Sequence, residues 1–486
     1  MAGTIAAPFA AETAACRAAQ QAWSVLTVGE RLRPLGVLRH LFVAEADAIC
    51  DAVARDVKRL PAEVLATDVL PTADAFRFLQ KRAVQILRPR SISVFDRPLW
   101  LWGERDTVYR RPHGLVGIIG TWNYPIYLNA VQIVQALTAG NGVLWKPSEL
   151  TPETAKVLHA VLVRAGYPQD LIQLLPATRE AGPQLAEADI DHVVFTGSAG
   201  VGRKLAARLG ERLVSSTLEL SGCDAMFVLA DADVQMAAKA AWFGVTLNRG
   251  QTCISVRRIF VDQTVYHHFI DALRLYSNDS APMALALESQ VNQSHRLIDE
   301  AVSEGAKLLH AADWQSNSGM RPAVVIDARP EMAICREASF APIAAVLPFG
   351  NIEQALRMNR ECEYGLGASL FSASEKKAGR LAARIPSGVL AVNDALTPAA
   401  HPATPLGGRG ASGWGTTQGA EGLLAMTVAQ VVSIRSGSFR PHYESLQRRP
   451  ELAATMRGML EWSHGNWSER WRGLRRILRH GWKLLR

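Results

Sequence analysis

Cysteine is scarce in this chain, and the cysteines that occur are scattered. None of them has the short paired spacing of a zinc site, and their arrangement does not resemble the framework of a disulfide-stapled domain. The six are Cys16, Cys50, Cys223, Cys253, Cys335 and Cys362. We therefore expect free thiols, no metal site and a reducing compartment, so the predicted location is the cytoplasm.

Long apolar runs are also missing. No stretch of about 18 uninterrupted apolar residues is present, which argues against a membrane-spanning helix. Residues 1–15 have no basic segment ahead of an apolar core, so no signal peptide is expected. The chain is 48% apolar and 20% charged, a composition typical of globular proteins. Its 486 residues are enough for two or three domains.

Excess charge is absent from most of the chain. Residues 435–486 contain 12 of the 53 Lys and Arg residues and 4 of the 45 Asp and Glu residues, so they carry the whole net charge of +8. The body that precedes them is neutral. A nucleic-acid-binding domain, which needs basic residues over its own surface, is therefore not predicted.

The order of apolar residues predicts an α/β protein. Residues 14–90 are expected to be mostly helical, with one apolar stripe at spacings of three and four. The stripe consists of Leu35, Leu38, Phe42, Ala46, Ile49, Val53 and Val57. Residues 92–109 alternate and predict strands that turn at Gly103-Glu104. Strand and helix patterns then alternate up to residue 393, which indicates parallel sheets with helices on both faces.

Two motifs follow predicted strands, at the edge where α/β proteins bind ligands. Residues 195–202 join a strand to a helix, and Gly197, Ser198 and Gly202 would let a pyrophosphate approach the helix N-terminus. A tight strand-to-helix turn explains the same glycines equally well. Lys146 and Glu149 end another strand, where they would bind ribose hydroxyls or form a solvated charged pair.

Residues 120–125, Gly-Thr-Trp-Asn-Tyr-Pro, form a third motif after a strand. The amide of Asn123 is a candidate donor to an oxyanion, as in acyl transfer. The alternative is that Asn123 caps the helix that follows.

Cys253 and Glu219, 34 residues apart, are the candidates for covalent chemistry. A thiol adds to a carbonyl carbon, and a carboxylate activates the water that releases the product. A single cysteine is more often a small buried apolar residue, and a single glutamate is more often a surface charge. The pair therefore predicts catalysis only if both side chains face one pocket.

In order and spacing these motifs resemble the NAD(P)-dependent aldehyde dehydrogenase superfamily over residues 14–434. Phe340 with Pro342 and the run 405–413 are similar to family signatures as well. The amino-acid sequences of residues 120–125 and of Asn393-Asp394 look most like those of the branch of the superfamily that has shorter chains and acts on fatty and aromatic aldehydes.

The resemblance implies roles for individual residues. Cys253 would attack the aldehyde to give a thiohemiacetal, whose oxyanion Asn123 and the Cys253 backbone N–H would hold. Glu219 would activate water to hydrolyse the thioester. Other residues would bind NAD or NADP; they are Thr121, Trp122, Lys146, Ser148, Glu149, Gly197, Ser198, Gly202 and Phe340.

The chain also departs from the family pattern. Residues 338–342 read Ala-Ser-Phe-Ala-Pro where the family has Glu-x-Phe-Gly-Pro, so Ala338 lacks the carboxylate that usually binds the nicotinamide ribose. Loss of such a charged hydrogen bond costs roughly 1.5–3 kcal/mol, or about 10- to 150-fold in a binding or rate constant. Residues 221–223 read Ser-Gly-Cys where the family has Gly-Gly-Lys. Nucleophile and base remain, while weaker cofactor binding is predicted.

The last segment predicts an amphipathic helix. Its apolar stripe is Trp467, Trp471, Leu474, Leu478, Trp482 and Leu485. Most of the other positions from residue 467 onward are basic, which is typical of an interfacial anchor on an anionic membrane. Docking on the body or on a second subunit is the alternative, and nucleic-acid binding is the least favoured.

The predicted architecture is an α/β, aldehyde dehydrogenase-like fold. It has two doubly wound parallel-sheet domains, a small β oligomerisation flap and a C-terminal amphipathic helix. The resemblance assigns residues 1–90 and 110–218 to cofactor binding and 219–400 to catalysis. Residues 91–109 and 401–434 are assigned to bridging strands of a homodimer, and residues 435–486 form the basic tail.

The predicted reaction is oxidation of an apolar, medium- to long-chain or lipid-derived aldehyde to the acid with NAD or NADP. Two alternatives remain: a CoA-acylating dehydrogenase or acyl reductase, against which Glu219 argues, and a catalytically weak membrane-associated homologue, which Ala338 favours. The expected partners are the aldehyde substrate, a second copy of this chain and the inner face of an anionic membrane. Nucleic acid is not expected as a partner.

Overall fold

The computed structural model describes residues 7–98, 101, 103–278, 280–310, 315–316, 319–437, 440, 443 and 450–482. The chain divides into two compact units. The larger unit comprises Met1–Leu87 and Arg111–Val428, and the smaller comprises Arg88–Arg110 and Ala429–Arg486.

Helices and strands alternate through most of the described chain. The helices are α1 (Ala10–Ser24), α2 (Val28–Arg31), α3 (Arg33–Ala44), α4 (Ala46–Val57), α5 (Pro61–Val64), α6 (Leu70–Ile86), α7 (Tyr127–Ala139), α8 (Pro152–Arg164), α9 (Ala181–Glu187), α10 (Ala199–Glu211), α11 (Val234–Thr246), α12 (Tyr266–Ser277), α13 (Glu288–Ser303), α14 (Ile352–Arg360), α15 (Glu375–Ala382), α16 (Gly419–Ala425), α17 (Pro450–His464) and α18 (Trp467–Arg476). The strands are β1 (Arg90–Ser91), β2 (Glu104–Pro112), β3 (Leu115–Ile119), β4 (Gly142–Lys146), β5 (Ile172–Leu174), β6 (His192–Gly197), β7 (Ser215–Leu220), β8 (Asp224–Val228), β9 (Val256–Asp262), β10 (Lys307–Leu308), β11 (Gln315–Ser316), β12 (Gly319–Met320), β13 (Ala323–Ile326), β14 (Ile343–Phe349), β15 (Gly367–Phe371), β16 (Val389–Val392), β17 (Gly413–Trp414) and β18 (Thr427–Arg435).

The N-terminal helices bury the predicted apolar stripe. All of its members except Ala46 are buried. The stripe is shared by two helices, α3 and α4, because the backbone leaves helical geometry at Glu45 (φ −101°, ψ 10°).

One sheet of the larger unit has the strand order β17-β7-β6-β3-β4-β5 and is parallel except at β17. Alternate residues point to opposite faces, so each face has its own core. Val116 and Val143 pack against α3, α4, α6, α7 and α8 on one face. Leu115 and Leu144 pack against α9 and α10 on the other. Helix α7 is buried along its whole length.

The other large sheet has the order β10-β13-β14-β9-β8-β15-β16 and is parallel except at β10. Helices α13, α14 and α15 cover one face, and α11 and α12 cover the other. The predicted fold class, with two doubly wound parallel sheets, is confirmed. Residues 221–223 carry the chain from one sheet to the other, and Glu219 lies at the carboxyl end of β7 just before this crossing.

The smaller unit contains the sheet β1-β2-β18. The strands expected over residues 92–109 are shorter than predicted, because Val94–Asp96 form a 3₁₀ turn capped by Ser93. Strand β2 begins only after Gly103, whose φ is 86°. Within residues 401–434, only the stretch from Thr427 joins this sheet, since β17 pairs with β7 and α16 is helical.

The predicted helix begins at Trp467 as α18, and it forms a helical hairpin with the preceding helix α17, which was not predicted. Helices α17 and α18 meet at Gly458 and Gly473, where a Cβ on Gly473 would lie 2.5 Å from the Gly458 carbonyl oxygen. Glu461 is 7% exposed, and its carboxylate pairs with arginines of both helices. The predicted stripe residue Leu485 lies outside the described residues. No helix within the described ranges is long and apolar enough to cross a membrane.

Candidate active site

Cys253 lies in the loop between a 3₁₀ turn (Leu247–Gly250) and β9. Its sulfur is 4.0 Å from Oε1 of Glu219, so the fold brings the predicted nucleophile and base together. Burial, and then the negative charges of Glu219 and Asp224, raise the pKa of the Cys253 thiol well above its ordinary value. The resting thiol is therefore protonated, and a thiolate forms only when a base removes the proton.

Glu219 is 2% exposed, and its Oε2 accepts a hydrogen bond of 3.1 Å from Oγ1 of Thr417. Burial raises the pKa of this carboxyl group from 4.5 to about 7, against the opposing effect of the Thr417 bond. A carboxyl group with this pKa exchanges protons near neutral pH, as a general base must.

The side chain of Asn123 is docked on the cysteine loop. Its Nδ2 donates to the carbonyl oxygen of Gln251 at 3.0 Å, and its Oδ1 accepts from Oγ1 of Thr121 at 2.8 Å. The hydroxyl of the next residue, Tyr124, is 2.6 Å from Oγ1 of Thr252. The amide of Asn123 thus ties its own loop to the loop that carries Cys253.

The backbone before Cys253 is strained. Asn248, Arg249 and Gly250 have φ values of 51°, 59° and 71°. This left-handed region costs a non-glycine residue about 1–2 kcal/mol. The buried guanidinium of Arg257 holds the loop by donating to the carbonyls of Gly250 and Ala341. A Cβ on Gly250 would lie 2.3 Å from the Ala341 carbonyl carbon, so the position requires glycine.

Arg257 was not predicted from the sequence. The one signal available was two adjacent arginines, Arg257 and Arg258, beside the apolar run at residues 259–261, because a buried arginine needs hydrogen-bond partners. Because those partners are backbone carbonyls, no sequence motif marks them.

The residues predicted for the adenosine end gather at the end of β4. Nζ of Lys146 is 3.4 Å from Oε2 of Glu149, and Oε1 of Glu149 accepts from Nε of Arg179 at 2.9 Å. Ser148 is buried and accepts a hydrogen bond from the backbone N–H of Leu150. Arg179 also escaped prediction, because it follows Glu149 by 30 residues and belongs to no motif.

The glycine motif lies at the end of β6, which is separated from β4 by β3 in the sheet. Gly197 is the last residue of β6, and the side chain of Ser198 caps α10 by accepting from the N–H of Val201. A Cβ on Gly202 would lie 2.5 Å from a methyl carbon of Leu220, so the glycine allows α10 to pack closely on β7. The tight turn therefore places the N-terminus of α10, with its free backbone N–H groups, at the end of β6.

The predicted nicotinamide end is only partly formed. The rings of Trp122 and Phe340 meet edge to face, with centroids 5.7 Å apart. Ala338 offers no carboxylate. Its neighbour Glu337 is turned to α13, where its carboxylate accepts from Nη2 of Arg296 at 2.5 Å. The residues therefore fit a dinucleotide along its adenosine half and lack one contact at the other half.

The described residues contain no group of three His, Cys, Asp or Glu side chains that could hold a metal ion.

Comparison with known proteins agrees with this arrangement. The model of the aldehyde dehydrogenase family matches residues 5–432. The chain is 33% identical over 418 residues to 4,4'-diapolycopene aldehyde oxidase from Methylomonas sp, which covers 84% of this chain and 78% of that protein. It is 31% identical to a putative NADP(+) succinate-semialdehyde dehydrogenase from Mycobacterium ulcerans, covering 86% of this chain and 83% of the relative.

Solved structures of aldehyde dehydrogenases have a similar fold. The NAD+ complex of an aldehyde dehydrogenase from Bacillus cereus has a TM-score of 0.82 and 26% identity, and covers 87% of this chain and 88% of its own. A putative aldehyde dehydrogenase from Burkholderia cenocepacia has a TM-score of 0.83 and 28% identity, covering 89% and 91%. The family match spans most of a chain whose fold brings Cys253 beside Glu219, so this protein belongs to the aldehyde dehydrogenase family and is an NAD(P)-dependent oxidoreductase.

Proposed function

We propose that this enzyme oxidises an apolar aldehyde, of medium to long chain or derived from a lipid, to its carboxylic acid. The observation that carries the proposal is the 4.0 Å approach of the Cys253 sulfur to the Glu219 carboxylate. A covalent oxidation needs the thiol, and release of an acid needs a base beside it.

The reaction begins with a proton transfer. Glu219 takes the thiol proton, because its pKa of about 7 leaves carboxylate at neutral pH. The sulfur bonds to the aldehyde carbon, and the Asn123 amide and the Cys253 backbone N–H stabilise the alkoxide oxygen. NAD(P)+, when bound, supplies the hydride acceptor. Glu219 passes its proton to solvent and then deprotonates the water that attacks the thioester, so that acid and free thiol are released.

The cofactor residues divide along the dinucleotide. Lys146, Ser148 and Glu149 are proposed to bind the adenosine ribose. Gly197, Ser198 and Gly202 are proposed to border the pyrophosphate at the N-terminus of α10. The nicotinamide end is assigned to Thr121, Trp122 and Phe340.

Two observations support an apolar substrate. A cluster of buried hydrophobic residues lies next to the cysteine loop. Its member Tyr124 forms a hydrogen bond with Thr252, the residue before Cys253. The cluster is Ala75, Tyr124, Tyr127, Leu128 and Val131. The Methylomonas relative is named for an aldehyde of 4,4'-diapolycopene, whereas the Mycobacterium relative is named for a semialdehyde.

A panel of straight-chain aldehydes with each cofactor tests the substrate class. We expect kcat/KM to rise with chain length, and a preference for succinate semialdehyde would overturn the apolar assignment.

The variant Cys253→Ala tests the mechanism. It should abolish cofactor reduction, and undiminished turnover would contradict covalent catalysis by Cys253. Acid should form without CoA, because Glu219 serves hydrolysis; strict dependence on CoA would favour an acylating dehydrogenase.

We also propose that α18 binds the inner face of an anionic membrane through its exposed apolar stripe. Helix α17 packs against Gly473 on the opposite face, so the stripe is not used in pairing the two helices. Arg475 and Arg479 are exposed beside the stripe. The exposed apolar residues are Trp467, Trp471, Leu478 and Trp482, at 75%, 49%, 68% and 65%. A Trp/Leu face flanked by arginine suits an anionic interface.

Vesicles containing phosphatidylserine test this surface. Trp467→Ser combined with Trp471→Ser should reduce vesicle binding at low salt, because both rings lie on the proposed face. Leu460→Ser is the matched control, since Leu460 is 56% exposed on α17. Equal binding by the tryptophan variant would refute the membrane assignment, and a change in oligomeric state instead would indicate a second subunit as the partner.

The homodimer is proposed to form through β18. This strand lies at the edge of its described sheet and exposes Val431 and Ile434, at 61% and 54%. Exposed apolar edge strands pair readily with another chain. Val431→Lys should yield monomers in light scattering, whereas Val37→Lys, at a 48% exposed site on α3, should not. A monomeric wild-type protein would contradict the proposal.

A further inference from the structure

A buried ion pair lies behind the loop that carries Asn123. The side chains of Arg59 and Asp68 are 2% and 0% exposed, and Nη1 of Arg59 is 2.5 Å from Oδ2 of Asp68. Removing two charges from water is strongly unfavourable, so such a pair needs compensating contacts. Neither residue takes part in the proposed reaction, and both lie in the N-terminal helical region, far from the site in sequence.

Asp68 acts as the cap of a helix that is distant in sequence. Helix α7 begins at Tyr127, and no side chain of its own N-terminal segment caps it. Oδ1 of Asp68 instead accepts the N–H groups of Ile126 and Tyr127, at 3.1 and 3.0 Å. Free N–H groups at a helix start require an acceptor, and a carboxylate there is favourable.

Asn123 is the residue in this segment whose side chain is suited to capping. Because Asp68 supplies the acceptor, the Asn123 amide is turned to the Gln251 carbonyl on the cysteine loop. Arg59 completes the arrangement: its Nη1 donates to the Asn123 carbonyl oxygen at 3.2 Å, and its guanidinium lies 5.0 Å from the centre of the Tyr124 ring.

We propose that Arg59 and Asp68 form a positioning pair for the oxyanion donor. Asp68 relieves Asn123 of capping α7, and Arg59 fixes the Asn123 backbone, so the amide is held toward the carbon that Cys253 attacks. This inference rests on the role of Asn123 in the proposed function. Neither residue is assigned to substrate or cofactor binding, and the pair acts mainly through Asn123. The contact of Arg59 with Tyr124, which hydrogen-bonds Thr252, is a second route, and it would leave a small residual loss in the Asn123→Ala background.

The test is a double-mutant cycle on the full-length enzyme. Arg59→Met/Asp68→Leu replaces both charges of the buried pair with apolar side chains, so neither is left unpaired in the core; Glu63, whose Oε1 is 3.4 Å from Nε of Arg59, loses its partner but is 23% exposed to solvent. Asn123→Ala should lower kcat by about 10²- to 10³-fold, the range seen on loss of an oxyanion donor. The pair variant should lower kcat about 10- to 100-fold, because a small misplacement has an effect of that order. In the Asn123→Ala background the same pair replacement should change kcat by less than about threefold.

The outcomes separate the two claims. If Asn123→Ala leaves kcat unchanged, the proposed role of Asn123 fails. If it lowers kcat while the pair replacement is equally harmful in both backgrounds, Asn123 stands and the positioning inference fails. The dissociation constant for NAD(P)+ should stay constant throughout. Arg17→Met/Asp191→Leu is the matched control, since Asp191 similarly accepts a backbone N–H from Leu115 and pairs with Arg17 at the other end of β3.

A milder variant covers the case in which the pair replacement does not fold. Arg59→Lys keeps the charge but loses the planar fork. We expect a several-fold lower kcat with unchanged cofactor binding, and this loss should also vanish in the Asn123→Ala background. An additive loss would overturn the inference.

Discussion

Glu219 contributes to the pH dependence of both rate and stability. Its pKa is about 7 in the folded enzyme and 4.5 in an unfolded chain, so the native state binds the extra proton between these values. The contribution of Glu219 to the free energy of unfolding should therefore fall as pH rises from about 4.5 to about 7, by about 3 kcal/mol in total. Burial of His192 lowers its pKa from 6.5 to about 3 and acts in the opposite sense, so the Glu219 contribution is read from the difference between the wild type and a Glu219 variant. The fraction of Glu219 able to act as base rises over the same window, so kcat/KM should increase.

Glu219→Gln separates these effects. The variant should lose turnover, and above pH 7 its melting temperature should exceed that of the wild type, while near pH 4 the two should agree. Melting curves and initial rates across this range provide the measurement. If the difference in melting temperature between the variant and the wild type does not change over the window, burial does not govern the titration of Glu219.

Glu149 is expected to control the choice between NAD and NADP. Its carboxylate would repel a 2′-phosphate, whereas its ion-pair partners Lys146 and Arg179 would attract one. Glu149→Gln should therefore raise the ratio of kcat/KM for NADP to that for NAD by about tenfold, or 1.4 kcal/mol. Glu153→Gln changes a glutamate that pairs with Lys156 on α8 and should leave the ratio unchanged. An unchanged ratio in Glu149→Gln would place the 2′ position elsewhere.

Ala338 is the position at which cofactor binding should be improvable. Its side chain offers no acceptor, and Glu337 is occupied by Arg296. Ala338→Glu should lower the dissociation constant for NAD(P)+ by about 10-fold or more, the value of one charged hydrogen bond. Fluorescence titration measures this directly. If the wild type binds neither cofactor and the variant does, the catalytically weak homologue becomes the better description of the natural chain.

At the scale of elements, the alternation of strands and helices was predictable because strands covered by helices on both faces read as short continuous apolar runs between segments of helical period. The break at Glu45 was not, because the apolar spacing continues across it. The capping of α7 was equally hidden, since the acceptor Asp68 lies 58 residues before Ile126. The sequence singled out Asn123 but left cap and oxyanion donor as alternatives; only the fold shows that another residue does the capping. Long-range partners leave no local signal.

The hairpin of α17 and α18 depends on two glycines. A Cβ on Gly473 would meet the backbone of Gly458 and Trp462 at 2.5 Å, so any larger residue forces the helices apart. Gly473→Val should therefore loosen the hairpin and increase its proteolysis, while leaving turnover of a soluble short aldehyde unchanged. Gly437→Val, with no neighbour within 4 Å but a φ of 76°, is a control for local strain in the tail. Unchanged proteolysis of the Gly473 variant would contradict the close packing.

At the scale of the whole molecule, the distribution of charge assigns the proposed membrane contact to the tail alone. The body is neutral and the tail carries the net charge of +8, so attraction to anionic lipid does not require a basic catalytic surface. Such attraction is long-range and weakens with salt, while the tryptophan face contributes apolar burial that salt does not screen. Vesicle binding should therefore fall with ionic strength without vanishing.

This separation predicts how the tail affects catalysis. An apolar aldehyde partitions into the bilayer, so an enzyme on the surface meets it at a higher local concentration than an enzyme in bulk water. Truncation after Gly437 should therefore lower kcat/KM for a long-chain aldehyde presented in phosphatidylserine vesicles, and should leave kcat/KM for a short water-soluble aldehyde unchanged. Rates with both substrates, with and without vesicles, provide the test. If truncation lowers both rates equally, the tail supports the fold of the catalytic unit; if it lowers neither, the aldehyde reaches Cys253 from solution.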